Sequence, residues 1–209
     1  MADTSNDSSV LVPNHHGHHP GFSGLTGWIA ARSMSTGRAA NANLAIDLTK
    51  QRPGDRVIDI GCGPGVAARL SAERGALVTG IDPATVMLRV ARRADRDRAV
   101  TWLQGVAEAL PLPDHSQDIA WSLSTVHHWL DIDGGLTEVQ RVLTAGGRFL
   151  VTERRVKAGA AGLASHGWTT QQAERFATLC ESAGLRDVEV SSHDSPRGVL
   201  LAVLGHVRS

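Results

Sequence analysis

The fold of this chain is decided by the stretch Val57-Ile58-Asp59-Ile60-Gly61-Cys62-Gly63-Pro64-Gly65, which is followed by Val66-Ala67-Ala68-Arg69-Leu70-Ser71-Ala72-Glu73-Arg74. The apolar run predicts a buried strand, the glycines predict a tight turn, and the second stretch predicts a helix. Because glycine lacks a Cβ, the turn can be sharp and a ligand can lie against bare backbone, with the first helical amides pointing at it. The stretch therefore predicts the first half of a nucleotide-binding βαβ unit.

The spacing of the glycines distinguishes two kinds of ligand. A dinucleotide fingerprint reads G-x-G-x-x-G, and its third glycine lets the helix pack closely beneath a pyrophosphate. Here the glycines run G-x-G-x-G, and Val66 stands where that third glycine would be. Asp59, two residues before the first glycine, suits the ammonium and sulfonium groups of S-adenosyl-L-methionine (SAM) better than it suits a diphosphate.

This stretch resembles the first motif of the class I SAM-dependent methyltransferases, most closely the type 11 small-molecule branch. The resemblance implies that Asp59 and the turn residues Gly61, Cys62 and Gly63 bind the cofactor. For the stretch taken alone, a plain strand, turn and helix with incidental glycines is the alternative.

Composition limits the classes of function. The 209 residues suit one domain, and 42% hydrophobic with 20% charged residues is typical of a globular chain. The formal net charge is zero, so we expect no nucleic-acid partner and no binding to acidic membranes. Two cysteines are too few for a disulfide framework or a zinc-cysteine site, and neither a signal peptide nor an apolar run long enough to span a membrane is evident. We therefore expect a cytoplasmic protein, and the arginine-, alanine- and glycine-rich composition indicates a bacterial source.

The N-terminal part is predicted to differ from the rest. We expect a flexible or lid-forming segment over residues 1–45 and the SAM-binding domain over residues 46–209. The segment contains four histidines that could bind a transition metal or simply belong to a mobile lid, and we favour the lid; they are His15, His16, His18 and His19. A helix is predicted over Ala39–Lys50, and the resemblance implies that Arg38 meets the cofactor carboxylate in bidentate geometry, with an exposed helix-end arginine as the alternative.

The second strand, Leu77–Asp82, also ends in an acid. Asp82 lies in the position where a carboxylate binds the vicinal hydroxyls of a ribose, which SAM and NAD share. Pro83 starts the next helix, which is predicted over Ala84–Arg93. We expect Asp82 and Pro83 to lie beside the cofactor. The resemblance places Met87 near the adenosine, whereas ordinary core packing is the alternative for this residue.

The segment after the third strand, Val100–Gly105, is similar to the family's G-D-A-x-x-L-P-F motif, which edges the adenine. Val106 replaces the usual acid, so backbone contacts of Val106 and Ala107 are expected instead. Glu108 is either a substitute for that acid or a solvated residue.

The fourth strand, Gln117–Ser124, leads into Thr125-Val126-His127-His128-Trp129, which resembles the family's H-H-W segment. Ligands in open α/β sheets sit beyond the carboxyl ends of the strands, so Ser122 is expected to border the cofactor. Adjacent histidines should point in different directions, and we predict that His127 reaches the cleft as a base or a polar wall. In the alternative, both histidines are structural and bind backbone carbonyls.

The last third of the chain adds the remaining elements. Glu153, at the end of a fifth strand, either orients substrate or pairs with Arg154 or Arg155. The predicted elements here are a helix over Gly134–Leu143 stopped by glycines at Thr144–Gly147, a strand over Arg148–Glu153, a helix over Trp168–Ala183, and strands over Asp187–Ser191 and Gly198–Leu204.

These elements predict a Rossmann-like α/β domain. Its sheet should have seven mostly parallel strands, helices on both faces and a C-terminal antiparallel hairpin. The expected function is methyl transfer from SAM to a small-molecule acceptor, with His127 as the candidate catalytic base and no metal assigned. A SAM-binding protein without transferase activity, or less favourably an NAD-dependent oxidoreductase, is the alternative. The methylated atom (O, N or C) and the choice between monomer and homodimer are not specified. Three tryptophans form either an acceptor pocket or core packing, and we slightly favour packing; they are Trp28, Trp129 and Trp168.

Overall fold

A computed structural model describes residues 38–160 and 166–208 of the chain. Its helices are α1 (Arg38–Leu48), α2 (Val66–Glu73), α3 (Thr85–Ala94), α4 (Ile132–Val142) and α5 (Thr170–Ser182), with a short 3-10 helix at Val126–His128. Its strands are β1 (Arg56–Ile60), β2 (Leu77–Asp82), β3 (Val100–Gln104), β4 (Gln117–Leu123), β5 (Leu143–Arg154), β6 (Arg186–Ser195) and β7 (Gly198–His206).

The seven strands form one sheet in the order β3-β2-β1-β4-β5-β7-β6. The first five are parallel, and β7 runs antiparallel to both β5 and β6. The strand order reverses between β1 and β4, which is the point where a doubly wound sheet opens a crevice for ligands. The predicted fold class is confirmed.

Alternating side chains of the strands build two cores, one on each face of the sheet. Ile58 and Ile60 of β1 pack with residues of α4 and α5, whereas Val57 packs with residues of α1, α2 and α3. Successive residues of a strand point to opposite faces, so an almost wholly buried strand serves both cores.

The predicted glycine stop after α4 is wrong. Thr144–Gly147 belongs to β5, which begins at Leu143 directly after the helix. In the pairing of β4 with β5, Gln117 is opposite Leu143 and Ile119 is opposite Arg148. One residue on β4 therefore faces four on β5, so the glycines accommodate an irregularity in the ladder rather than a free turn.

The predicted start of α5 at Trp168 is also wrong. The helix begins at Thr170 with a capping box, in which Thr169 Oγ1 accepts from the Gln172 amide at 3.2 Å and the Gln172 side chain accepts from the Thr169 amide at 2.8 Å. Trp168 lies outside the helix and pairs with Arg155 in a parallel bridge. This tertiary pairing keeps the residues before Thr169 extended.

Helix α1 is joined to the sheet at its C-terminal end. Arg148 of β5 donates to the carbonyl oxygen of Thr49 at 2.6 Å, and Ala45 of the helix is fully buried. The predicted boundary between residues 45 and 46 falls within this helix, and the division into two parts stays a prediction. Residues 1–37, with Trp28 and the four N-terminal histidines, lie outside the described residues. In the part of the chain that the structure describes, none of the helices has the length and apolar character needed to span a membrane.

Candidate functional site

The turn after β1 depends on glycine at three positions. Gly61, Gly63 and Gly65 have φ angles of 73°, 54° and 74°, in the left-handed region that other residues rarely adopt. The amides of Gly61 and Cys62 both donate to the carbonyl oxygen of Ile81, at 2.8 and 2.9 Å. The turn is therefore tied to the end of β2, and Val66 begins α2 directly behind it.

Asp82 joins the turn to the start of the next helix. Its Oδ2 accepts from the Gly63 amide and its Oδ1 accepts from the Ala84 amide, both at 2.8 Å. The residue is only 7% exposed. From the sequence we predicted that Asp82 and the glycine turn belong to one nucleoside site. In the structure, Asp82 is hydrogen-bonded directly to the turn.

Trp102 is a residue of this region that the sequence analysis missed. A Cβ on Gly65 would lie 2.2 Å from Cη2 of the Trp102 ring, and a Cβ on Gly80 would lie 2.5 Å from Cζ3. The indole Nε1 donates to Asp95 at 3.0 Å, which fixes the ring. The third glycine of the turn thus admits a tryptophan from β3, and nothing local in the sequence links the two positions.

A chain of hydroxyls joins the end of β4 to the end of β1. Thr125 Oγ1 donates to the carbonyl oxygen of Ile60 at 3.0 Å. Its single proton is then used, so Ser122 Oγ is the donor in the 2.6 Å bond between the two hydroxyls. Ser122 is fully buried, and a Cβ on Gly61 would lie 2.8 Å from the Thr125 side chain. The backbone between them passes through Ser124 with a φ of 61°, a left-handed conformation that turns the chain sharply at the candidate site.

Asp59 is the next-to-last residue of β1, the strand that borders the crevice between β1 and β4. It is 2% exposed and pairs in register with Gly80 of β2 and Trp121 of β4. Its position alternates with Ile58 and Ile60, so its side chain points to the face covered by α1, α2 and α3.

The residues predicted around the adenine lie after β2 and β3. Met87 is buried at 3% exposure and packs with Val86, while Val106 is 40% exposed and Ala107 is buried at 5%. Pro83, after β2, is exposed, and its carbonyl oxygen accepts from the Gln104 side chain at 3.1 Å. The adenine contacts of these residues stay a prediction.

Glu108 has a partner that neither sequence alternative anticipated. Its Oε1 accepts from the amides of Leu130 and Asp131, at 2.7 and 3.1 Å. This oxygen therefore holds the loop in front of α4, and it satisfies amides just before the helix. Arg38 is the first residue of α1, and its predicted contact with the cofactor carboxylate stays a prediction.

His127 is paired with Glu153 across the carboxyl ends of β4 and β5. Nδ1 of His127 lies 3.0 Å from both carboxylate oxygens of Glu153, which is fully buried. Burial works to lower the pKa of His127, but the charge of Glu153 and the hydrogen bond to it outweigh burial and raise the pKa above its usual 6.5. From the sequence we had considered only Arg154 and Arg155 as pairing partners of Glu153, so the pairing with His127 was not predicted.

Because Nδ1 faces a carboxylate, the hydrogen bond assigns the ring proton to Nδ1 in the neutral imidazole and leaves a lone pair on Nε2. Nε2 is itself buried and has no hydrogen-bond partner among residues 38–160 and 166–208.

The two adjacent histidines do not diverge as the sequence predicted. The rings of His127 and His128 lie 4.0 Å apart between centroids, and the ring of His166 lies 5.6 Å from the first and 6.1 Å from the second. His166 was missed because it is a single histidine after a run of small residues, with no periodic or spacing signal that points to a site.

The two described tryptophans that were candidates for an acceptor pocket are core residues. Trp129 is 9% exposed and stacks on Phe149 with centroids 6.4 Å apart. Trp168 is 2% exposed and lies 4.9 Å from Phe176. The packing alternative is confirmed for both.

Comparison with known proteins agrees with this geometry. Residues 58–151 match the family model described as a methyltransferase domain. Over 130 residues, the chain is 35% identical to malonyl-[acyl-carrier protein] O-methyltransferase of Serratia marcescens, covering 62% of this chain and 49% of that protein. Over 101 residues, it is 40% identical to demethylmenaquinone methyltransferase of Tropheryma whipplei strain Twist, covering 48% of this chain and 42% of that protein. The chain thus spans about half the length of the curated relatives it matches.

Solved structures show the same fold. A SAM-dependent methyltransferase from Aquifex aeolicus superposes with a TM-score of 0.72 at 16% identity, covering 86% of this chain and 97% of that one. The sheet order and the glycine turn agree with the Rossmann-like fold of that structure. Residues 58–151 are a class I methyltransferase domain of the type 11 branch, a class whose cofactor is SAM.

Proposed function

We propose that this chain transfers a methyl group from SAM to a small-molecule acceptor. The observation that carries the proposal is the contact of Asp82 with the glycine turn, at 2.8 Å from the Gly63 amide, with Asp59 buried in the strand that leads into the turn. Two carboxylates on either side of bare backbone suit an adenosine joined to a positively charged amino-acid tail. The names of the two relatives, whose acceptors are an acylated carrier protein and a demethylmenaquinone, support a metabolic acceptor rather than a nucleic acid.

The cofactor is assigned to the crevice between β1 and β4. In this arrangement the ribose hydroxyls bind Asp82, the amino-acid tail lies along the turn near Asp59, and Arg38 binds its carboxylate. We assign the other proposed cofactor contacts to the same crevice; they are Gly61, Cys62, Gly63, Pro83, Met87, Val106, Ala107, Glu108 and Ser122.

SAM supplies an activated methyl group, so the protein's main contribution is to align the acceptor and exclude water. The 3-10 helix after β4 brings His127 to the carboxyl ends of the central strands, where the acceptor is expected. With Nδ1 held by Glu153, Nε2 is oriented to take the proton of an acceptor oxygen or nitrogen as methyl transfer proceeds.

Calorimetric titration with SAM and its demethylated product, S-adenosylhomocysteine (SAH), tests the cofactor assignment. Asp82→Ala removes the ribose acceptor, and we expect binding weakened by about 1–3 kcal/mol, or about 5- to 150-fold. Because this variant also frees the Gly63 amide, its unfolding is measured without ligand, and Asp194→Ala on β6 is the matched control.

Three outcomes would contradict parts of this proposal. A wild-type chain that binds neither compound refutes the assignment, and binding of NAD instead would support the oxidoreductase alternative. Unchanged SAH affinity in Asp82→Ala would show that the pocket is misplaced. A chain that binds SAM but forms no SAH with any member of a broad acceptor panel would be a SAM-binding protein without transferase activity.

A further inference from the structure

Three histidines converge beside the buried Glu153 at the carboxyl ends of β4 and β5. Each of His127, His128 and His166 offers one ring nitrogen, and these nitrogens all lie within 4.8 Å of one another. We propose that the three histidines, called here the histidine cluster, bind one divalent transition-metal ion, with Zn²⁺ as the ion of choice. No metal was assigned from the sequence, and no spacing in the sequence links His166 to the other two histidines.

The distances are close to those of a coordination sphere. Zinc binds imidazole nitrogen at 2.0–2.1 Å, which places two nitrogens of a tetrahedral site about 3.3 Å apart. The cluster is therefore within about 1.5 Å of closure, a distance that small rotations of three side chains can supply.

Glu153 completes a pattern that metal-binding histidines use. A ligating imidazole usually donates its other N–H to a carboxylate, which fixes the tautomer and orients the ring. Nδ1 of His127 is bonded to Glu153 in this way, and the buried Nε2 has no hydrogen-bond partner in the described part of the chain. A metal ion would give that lone pair a partner, since buried polar atoms are normally satisfied.

Hydrogen bonds to backbone carbonyl oxygens hold both halves of the cluster in place. His127 and His128 lie on the 3-10 helix, whose amide at His128 donates to the Thr125 carbonyl oxygen at 2.9 Å. On the other side, the Arg154 guanidinium donates to the carbonyl oxygen of His166 through Nε and Nη2, both at 3.2 Å.

The residue after His166 makes this approach possible. Gly167 has a φ of 142°, and a Cβ there would lie 2.1 Å from the carbonyl oxygen of Arg154. The amide of the next residue, the buried Trp168, donates to that same oxygen at 2.9 Å. The position of His166 is thus set by β5 itself and not by a free loop.

Ligand chemistry selects the class of metal. Imidazole nitrogens favour Zn²⁺, Cu²⁺, Ni²⁺ and Co²⁺, whereas Mg²⁺ and Ca²⁺ require oxygen ligands. Glu153 offsets part of the ion's charge, and the nearby positive charge of Arg154 opposes binding. Three protein ligands leave a fourth position open to water or substrate, and the partly exposed cluster lets either enter.

The open position has a consequence that rests on the proposed function. An acceptor hydroxyl bound to the metal would lose its proton to solvent water more readily, because the ion lowers the pKa of a bound oxygen and the cluster is partly exposed. Nε2 of His127 would then be a ligand, and activation of the acceptor would pass from the imidazole to the metal. Metal binding itself does not depend on methyl transfer and can be measured alone.

The test uses full-length chain without an affinity tag, with His15, His16, His18 and His19 replaced by Gln so that these residues cannot bind the probe. After removal of metal with a chelator, Zn²⁺ is titrated in competition with a chromophoric chelator, and Co²⁺ absorption reports the coordination geometry. We expect one zinc ion per chain and a tetrahedral cobalt spectrum.

Variants locate the ion. His128→Gln and His166→Gln should weaken zinc binding at least as much as Glu153→Gln, for which the loss of an oriented ligand predicts about 10- to 100-fold. His193→Gln on β6, whose Nε2 lies 2.8 Å from Ser191 Oγ, is the matched control and should leave zinc binding unchanged. Circular dichroism of each apo-variant checks that the fold is retained.

The proposal is overturned if the chain without its N-terminal histidines binds no stoichiometric zinc. It is also overturned if His128→Gln and His166→Gln both retain full affinity. SAH titration of the same samples separates the two hypotheses: SAH binding without zinc refutes only the metal site, and zinc binding without SAH refutes only the methyltransferase proposal.

Discussion

Replacement of Gly65 by alanine tests whether the glycine turn after β1 depends on the contact between Gly65 and Trp102. The residue has a φ of 74°, and a left-handed conformation is less favourable for alanine than for glycine by about 1–2 kcal/mol. The new Cβ would also lie 2.2 Å from Cη2 of Trp102, closer than Cβ atoms approach any neighbour. The indole cannot move away without weakening its 3.0 Å bond to Asp95, so overpacking adds about 1–3 kcal/mol. We expect Gly65→Ala to lower the free energy of unfolding by about 2–5 kcal/mol in total.

Gly54→Ala is the matched control for the cost of placing alanine in a left-handed backbone conformation. Gly54 has a φ of 89°, and a Cβ there meets nothing within 4 Å. The loss of unfolded-state entropy is the same for both substitutions and cancels. The difference between the two variants, about 1–3 kcal/mol, is therefore the steric contribution of the neighbours of Gly65, which are chiefly Trp102 and, at 3.0 Å, Ala91 Cβ.

Urea denaturation followed by tryptophan fluorescence measures both variants, and thermal unfolding should show Gly65→Ala melting about 4–20 °C below wild type. In a Trp102→Leu background the clash with the indole is removed and the 3.0 Å contact with Ala91 Cβ remains, so the difference between the two alanine substitutions should become much smaller. The reasoning is refuted if Gly65→Ala is no less stable than Gly54→Ala, or if Trp102→Leu leaves their difference unchanged.

Two further predictions concern stability away from the site. The Arg56 guanidinium, 2.8 Å from Asp118, lowers the pKa of that carboxyl from 3.8 to about 2, so the pair stabilises the fold fully above about pH 4 and is lost as pH falls toward about 2. Because the arginine is 43% exposed, we expect the pair to contribute only about 1 kcal/mol to the free energy of unfolding. The difference in unfolding free energy between wild type and Asp118→Asn should therefore shrink as the pH falls over that range. A difference that does not depend on pH would contradict the assignment. Thr169→Ala removes the cap of α5 and should destabilise the chain by about 1 kcal/mol, whereas Thr169→Ser should not; equal urea midpoints for the two variants would show that the cap is dispensable.

The glycine turn and the acid at the end of β2, which we assign to the cofactor, were predictable because their signals are local. The bounds predicted for β2, Leu77–Asp82, are those observed. This strand was predictable because its signal, an apolar run that ends in an acid, lies in consecutive residues. The same holds for the glycine turn, where three left-handed positions require three glycines in five residues. By contrast, the glycines at Gly146 and Gly147 were misassigned as a helix stop, because local sequence does not reveal that this segment continues a strand beside β4.

The region of His127 and Glu153, which we assign to the acceptor, was only partly predictable. His127 and Glu153 were each placed near the cleft, but their pairing joins residues 26 positions apart in two separate elements. Glu108 was expected near the adenine, and its bonds to Leu130 and Asp131 depend on how two loops meet above the sheet.

The sequence by itself determined the class of this protein, because strand periodicity, glycine spacing and the acids at two strand ends are all carried by neighbouring residues. The tertiary structure alone decided that Trp102 lies against Gly65 and that His166 joins His127 and His128 beside a buried carboxylate. These contacts depend on which strands become adjacent in the sheet and on where the loops after β4 and β5 come together. That arrangement is set by long-range packing, which no local pattern of residues records.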